Sequence, residues 1–380
     1  MSRSEESEVD PGQKEMSRRR FLRNAGMLGV GLPAMGALLE ACGGSPSKST
    51  GTSTVASASL GANGKDPYPN HPKYQFTLVN HVTTNSFFTP TRYGAQDACN
   101  LLGCSYNWTG SQSSIVSQMV SAMDTAISAK VDGIGVPIID PKAFNAPTEK
   151  AASQGIPVIA YNAPPPTTGS ISSLAYIGQN IYDAGVEAGK RILKYVKAGD
   201  LVACMIATPG TGNIQPRSDG AKSVLVPKGI KYVEVATGAD QAPEIPAVAS
   251  WYQGHQNVKF LYAVDSGSGI AVADAVKKFN LASKGIKGSG WDVGTPTLQE
   301  VKAGHLTFTI DQQAYVQGFY TILQLFLYQI SGGLIRPATT DTGLLFVTGK
   351  NVAPYLASQD RYEGSSSKEK ILTPPSSISL

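Results

Sequence analysis

Two polar clusters in one stretch of the sequence have the composition needed to hold a neutral, hydroxyl-rich molecule. The stretch is Gly288–Gln313, GSGWDVGTPTLQEVKAGHLTFTIDQQ. It places Asp292 beside Trp291 and, further on, the run Asp311-Gln312-Gln313. A carboxylate and amides offer planar donors and acceptors, and an aromatic ring beside them offers an apolar face. Similar residues follow other apolar runs: Asn85 with Phe87 and Phe88, Trp108, Asp140, Asn162, Arg217 and Asp265. Each alone has an ordinary structural explanation. An aspartate after a strand caps the next helix, an arginine sits at the surface, and paired phenylalanines fill a core. Their recurrence at the same end of successive strands points instead to one shared crevice.

That placement depends on the elements. Tyr74–Asn80 reads as a strand, followed by a polar loop from His81 to Asn85 and a helix from Ser86 to Leu102. Cys104–Trp108 is a second strand. Gln112–Lys130 is an amphipathic helix with Ile115, Met119, Ala122, Met123, Ala126 and Ile127 on one face. A buried strand follows from Val131 and ends at Asp140-Pro141, where Asp140 caps a helix. Ile156–Tyr161 is the next strand, ending at Asn162. The pattern then restarts. A helix runs from Ile181 to about Lys197, and strands lie at Leu201–Ile206, Tyr232–Ala236 and Phe260–Val264. Helices fall at Ala247–Gln253 and Gly269–Phe279, and the run GTGNIQPRSDGAKSVL carries Arg217 on a loop and helix. Thr295 is expected as an N-cap with Pro296 in the first turn, His305–Ile310 as a strand and Tyr315–Ile330 as the last helix. Regular alternation of strand and helix predicts parallel sheets covered on both faces. Two such runs in tandem predict two similar lobes, with Asp311–Gln313 at a hinge between them.

The chain has 380 residues and a net charge of +4, and its basic residues do not cluster beyond the first segment. This argues against a nucleic-acid surface. The N-terminus reads as an address. Ser17-Arg18-Arg19-Arg20-Phe21-Leu22-Arg23 matches the twin-arginine export pattern, and an apolar run too short to span a bilayer follows. Leu38-Leu39-Glu40-Ala41-Cys42 resembles a lipoprotein box with Cys42 as the lipidated residue, and a Ser/Thr/Gly-rich tether follows it. Cys99 and Cys104 flank a helix end, which leaves a disulfide and buried free thiols both open. No cysteine or histidine spacing matches a metal site. Thr208-Pro209-Gly210-Thr211-Gly212 lacks the ending of a phosphate loop, and Asp265-Ser266-Gly267-Ser268-Gly269 lacks dinucleotide spacing. No G-x-S-x-G run or triad context occurs. Neither an enzyme nor a cofactor is expected.

From about Tyr74 onward the chain resembles the type I periplasmic sugar-binding proteins, the ribose- and galactose-binding family that serves ABC transporters. The resemblance rests on TTNSFF (83–88), VDGIGVPIIDP (131–141), GIPVIAYN (155–162), YIGQNIYDAGVEAG (176–189), NIQPRSDGAK (213–222), AVDSGSGIAVADAV (263–276) and the run from 290 to 318. It implies that Phe87 and Phe88 sandwich a sugar ring and that Asn85 meets a hydroxyl. It further implies that Arg217 holds ring or hydroxyl oxygens, and that Asp265, Asp292 and Gln312 are polar partners from strand ends and hinge. Where ribose binders carry Asp-Arg after the fourth strand, this chain has Asn162-Ala163. That departure argues against ribose itself.

The expected architecture is α/β, with two doubly wound Rossmann-like lobes joined by a three-strand hinge. A signal peptide (1–41) and a tether (42–72) precede an N-terminal lobe of 73–178 plus 313–342 and a C-terminal lobe of 179–312 plus 343–380. The expected function is that of an extracytoplasmic, lipid-anchored monomer. It captures a small carbohydrate or polyol and delivers it to an ABC transporter permease, with closure selected by a ligand that touches both lobes. Two alternatives share the scaffold: sensing for a membrane receptor, and a non-sugar ligand such as an amino acid. A periplasmic carbohydrate-active enzyme is the alternative from another class.

Overall fold

The computed structural model describes residues 68, 71–166 and 171–374. The twin-arginine signal, Cys42 and nearly all of the tether lie outside the described residues. In chain order the first run is β1 (Gln75–Asn80), α1 (Thr89–Leu102), β2 (Ser105–Gly110), α2 (Val116–Ser128), β3 (Gly133–Val136), α3 (Pro141–Ser153), β4 (Val158–Tyr161) and β5 (Ala175–Gly178). The second is α4 (Ile181–Ile192), β6 (Leu201–Ile206), α5 (Gln215–Leu225), β7 (Lys231–Ala236), α6 (Gln241–Gly254), β8 (Val258–Ala263), α7 (Ser266–Lys278), β9 (Lys287–Ser289) and α8 (Thr295–Lys302). The closing elements are β10 (Thr309–Asp311), α9 (Ala314–Ile330), β11 (Thr340–Asp341), β12 (Leu345–Val347) and α10 (Ala353–Ser358).

Two parallel sheets result, ordered β11-β5-β4-β3-β1-β2 and β7-β6-β8-β9. Their central strands are apolar at nearly every position because both faces are covered. In β1, Phe76 and Leu78 join a core with Ile322 and Phe326, while Val79 joins another with Met119 and Met123. In β6, Ala203 and Met205 pack with Leu261 and Val272, whereas Val202, Cys204 and Ile206 pack with Phe260 and Trp291. Alternate residues thus feed opposite layers, as strand geometry requires.

In each sheet one outer layer is a tightly packed helix pair. A Cβ at Gly94 of α1 would lie 2.0 Å from the Tyr315 carbonyl oxygen of α9. One at Gly185 of α4 would lie 2.2 Å from the Arg217 carbonyl oxygen of α5. Glycine lets the two backbones touch at both places, and the second contact fixes where Arg217 sits.

The chain passes between the sheets after β5, β10 and β11, and β10 pairs antiparallel with β12. Some sequence expectations need correction. The expected strand at His305–Ile310 is regular only from Thr309. Thr307 and Phe308 meet Gly288 and Gly290 through separate bonds (2.8 and 2.9 Å) rather than a ladder. Thr295 is the first helical residue of α8 and not its cap, a position taken by Gly294. The helix from Ile181 stops at Ile192, and α6 begins earlier than expected, at Gln241. Of the two readings left open for Cys99 and Cys104, the disulfide does not form. The tail beyond Ser358, expected with the second lobe, returns to the first. Arg361 Nη1 lies 3.0 Å from Asp97 Oδ1, and the Tyr362 ring meets Tyr315 edge-on at 5.0 Å. Burying aromatic surface and pairing a nearly buried guanidinium favour that path.

Candidate functional site

Residues that follow the carboxyl ends of strands in both sheets converge on one cavity. It has about 560 Å³ of empty space, open solvent at its mouth included. Parallel strands end on the same edge, so the loops that follow them share it. After β1 come His81, Asn85, Phe87 and Phe88; after β4, Asn162; after β6, Ala207, Thr208 and Asn213; after β8, Asp265; after β9, Asp292; after β10, Gln312. Arg217 enters from the first turn of α5 and Glu244 from that of α6.

The first-sheet wall is mainly aromatic and uncharged. Asn85 Oδ1 accepts from the Phe87 amide (2.9 Å) and so starts the short 3-10 turn that presents the rings. Phe88 is buried, Phe87 is half-buried, and they meet edge-to-face at 4.7 Å. The His81 ring stands edge-on to Phe88 at 5.2 Å. Burial, aided by the Arg217 charge, lowers His81 from 6.5 to about 4, so it is neutral at physiological pH.

Charge gathers on the facing wall. Arg217 is buried. Its Nη1 donates to the Val264 carbonyl (2.8 Å), its Nη2 donates to Gln312 Oε1 (3.2 Å), and its guanidinium lies 4.5 Å from the centre of the Trp291 ring. Its Nε is buried without a partner. Burial lowers the arginine below its ordinary value while Asp292 opposes this, and the side chain stays charged. Gln312 Nε2 donates to Asp292 Oδ1 (2.6 Å), and Asn162 Nδ2 reaches Gln317 Oε1 (3.2 Å) and Gln312 Oε1 (3.5 Å). Burial pushes Asp292 from 3.8 up to about 7 against the pull of Arg217. Asp265 caps α7 by accepting from the Ser268 amide (2.8 Å), and its other oxygen accepts from the Ala207 amide (3.0 Å). Burial raises its carboxyl as well. Asn162, Asp292 and Gln313 all hold positive φ, at 61°, 71° and 55°. Such left-handed non-glycine residues are costly and concentrate at sites that need a fixed side-chain direction.

Eight of the residues expected from sequence therefore share this cavity: Asn85, Phe87, Phe88, Asn162, Arg217, Asp265, Asp292 and Gln312. Two do not line it. Trp108 stands behind Phe88 at 6.1 Å and donates from Nε1 to the Thr83 carbonyl (3.3 Å). Asp140 is spent as the cap of α3, accepting from the amides of Lys142 (2.9 Å) and Ala143 (3.2 Å). Among the described residues, no group of three His, Cys, Asp or Glu side chains is arranged to hold a metal ion.

The sequence model of the periplasmic binding protein domain matches residues 76–332. The chain belongs to that family. It is 42% identical over 383 aligned positions to a xylose/arabinose-binding protein of Sulfolobus acidocaldarius, covering 96% of this chain and 94% of the relative. Two solved solute-binding proteins share the fold at 26% identity. One, from Burkholderia graminis in complex with D-arabinose, has a TM-score of 0.69 and is covered over 97% of its length by 74% of this chain. The other, from Acidothermus cellulolyticus in complex with myo-inositol, has a TM-score of 0.68 and is covered completely by 77% of this chain.

His81, Asn213 and Glu244 are among the wall residues of this periplasmic binding protein that escaped the sequence reading. His81 directly follows β1, and its position after a strand was the available signal. Asn213, whose Nδ2 lies 3.3 Å from His81 Nε2 across the cleft, sits inside a quoted motif without being singled out. Glu244 gave no signal, because a glutamate in the first turn of a helix is ordinary.

Proposed function

We propose that this binding protein captures a small carbohydrate or polyol between its lobes and delivers it to an ABC transporter permease, with a pentose as the first candidate. One observation carries the reading. A buried arginine with an unpartnered Nε and a pair of phenylalanine rings line one cavity at the strand ends of both sheets. The arginine meets hydroxyl or ring oxygens, and a ring stacks on the apolar face of the sugar. The 42% identical xylose/arabinose binder supports a pentose within this class. Asn162 in place of an acidic residue accords with a ligand other than ribose. The protein works outside the cytoplasm as a monomer, held to the membrane through lipidated Cys42, with no chemical conversion of the ligand. The lobes are 73–178 with 313–342 and 179–312 with 343–358, the tail being carried by the first.

A thermal-shift screen of the folded region against pentoses, hexoses, polyols, inositols and amino acids tests the proposal. A ligand at a hundredfold excess over its Kd adds about 2.7 kcal/mol of stability. The expected hits are xylose or arabinose. A response to amino acids alone would overturn the ligand class, and silence across the panel would sink the sugar-binding reading.

A further inference from the structure

Glu244 and Asp265 form a pair of carboxyl groups in the wall of the cavity, Glu244 buried and Asp265 half-buried, that share one hydroxyl, that of Ser268. Glu244 is 2% exposed. Its Oε2 lies 2.7 Å from Ser268 Oγ and 3.0 Å from Thr237 Oγ1. Ser268 Oγ also lies 2.9 Å from Thr237 Oγ1 and 2.9 Å from Asp265 Oδ2. The four contacts need a hydrogen each, and each of the two hydroxyls supplies only one. With two carboxylates, two of these contacts would set lone pair against lone pair. A proton on a carboxyl group supplies a third hydrogen, so that only one contact, made by Thr237, lacks its own, and it removes the repulsion between like charges.

We propose that Glu244 is a positioning residue of the sugar site that carries a proton at neutral pH, and that this neutral carboxyl holds Asp265 in its ligand-ready place. The inference rests on the sugar-binding reading above. Its proton resides on Glu244 because the two backbone amides at Asp265 stabilise a charge there, whereas hydroxyls alone surround Glu244. Burial, followed by the Asp265 charge, moves the Glu244 carboxyl from 4.5 to about 8. The other ionisable groups facing the cavity are Arg217 from α5, Asp292 after β9 and His81 after β1. Arg217 stays charged, His81 stays neutral above about pH 4, and Asp292 titrates near 7. Loss of the Glu244 proton sets two adjacent negative charges in the wall, which pushes Asp265 out of register with the ligand. Affinity then falls as pH rises past about 8.

The test is calorimetric titration of the tightest-binding sugar from about pH 6 to about 9.5, on the wild-type chain and on Glu244→Gln. Glutamine keeps the shape and the donor but has no proton to lose. The wild type should weaken by up to about tenfold per pH unit above the transition. Glu244→Gln should lack that step, while any step from Asp292 remains. A wild-type profile flat above pH 7, or the same upper step in both proteins, would overturn the proposal. Carbon-13 NMR titration of the glutamate and aspartate carboxyls reads the proton without any ligand and without a variant. A buried glutamate signal titrating near 8 supports the pair, and its absence refutes it. If that signal is present while no sugar binds at any pH, the sugar reading fails and the proton pair stands.

Discussion

The two walls of the cleft do different physical work. The wall after β1 offers Phe87, Phe88 and a histidine held neutral, so it is suited to shape and apolar surface and is insensitive to pH near neutrality. The facing wall offers Arg217, Asp292 and Glu244, all buried, with a half-buried Asp265, so it is suited to directional hydrogen bonds and carries a charge balance that shifts with pH. Stacking tolerates many sugars, because each has an apolar face. Directional bonds separate epimers, because a misplaced hydroxyl leaves a buried polar group unpaired.

Breaking the charged wall should cost most. Arg217→Ala removes the donors to Gln312 and the Val264 carbonyl and strips Asp292 of its countercharge. Charge-assisted bonds are worth roughly 1.5–3 kcal/mol each, so calorimetry should record at least a tenfold weaker Kd. Phe87→Ala, on the stacking wall, should cost less. Aromatic contacts add about 0.5–1.5 kcal/mol, a loss of several-fold, and competition titrations should show it spread almost evenly over the sugars that bind.

Proton linkage separates the walls in another way. Glu244 and Asp292 have folded values raised to about 8 and about 7 from 4.5 and 3.8. Their stabilising contribution is complete below the unfolded values and is lost as pH rises through the folded ones. His81, lowered from 6.5 to about 4, has the opposite sign. Its contribution is complete above 6.5 and is lost as pH falls toward 4. Two groups therefore oppose one, and the melting temperature of the ligand-free protein should rise as pH is lowered from about 8 to about 5. Calorimetric scans that show a steady fall over that range would contradict the burial of the acidic wall. The smallest effect on binding is expected at Asp140. Asp140→Ala removes an N-cap worth about 1 kcal/mol of stability, and Kd should not move.

Much of this arrangement was legible in the sequence, for specific reasons. Strand ends in a parallel sheet share an edge, so Asn162, Asp265 and Gln312 could be grouped once the alternation of elements was seen. The resemblance singled out Phe87, Phe88 and Arg217 within that group. Trp108 and Asp140 were grouped by the same rule and fall outside the cavity, because the rule gives an edge and not a direction. Trp108 turns toward Phe88, and Asp140 turns to its own helix. Glu244 was beyond reach, since its surroundings combine Thr237, seven residues before it, with Ser268, which the folded lobe brings in from 24 residues away. The positive φ at Asn162 and Asp292 was equally hidden, because side-chain type permits that geometry without requiring it.

The strand β11 has a further consequence, one of timing. Its residues Thr340 and Asp341 pair with Ile177 and Gly178 at the edge of the first sheet, and α9 covers that sheet with Ile322, Leu325 and Phe326. The first lobe to leave the ribosome is thus the last to be completed. While residues 179–312 are being synthesised, β5 presents a bare edge and the layer of Phe76 and Leu78 is covered by α1 without α9. Pairings between strands so distant in sequence form slowly. The nascent chain therefore passes through a long interval in which one face of a sheet is only partly covered, the period in which a chaperone has a defined hydrophobic target and aggregation has its best opportunity.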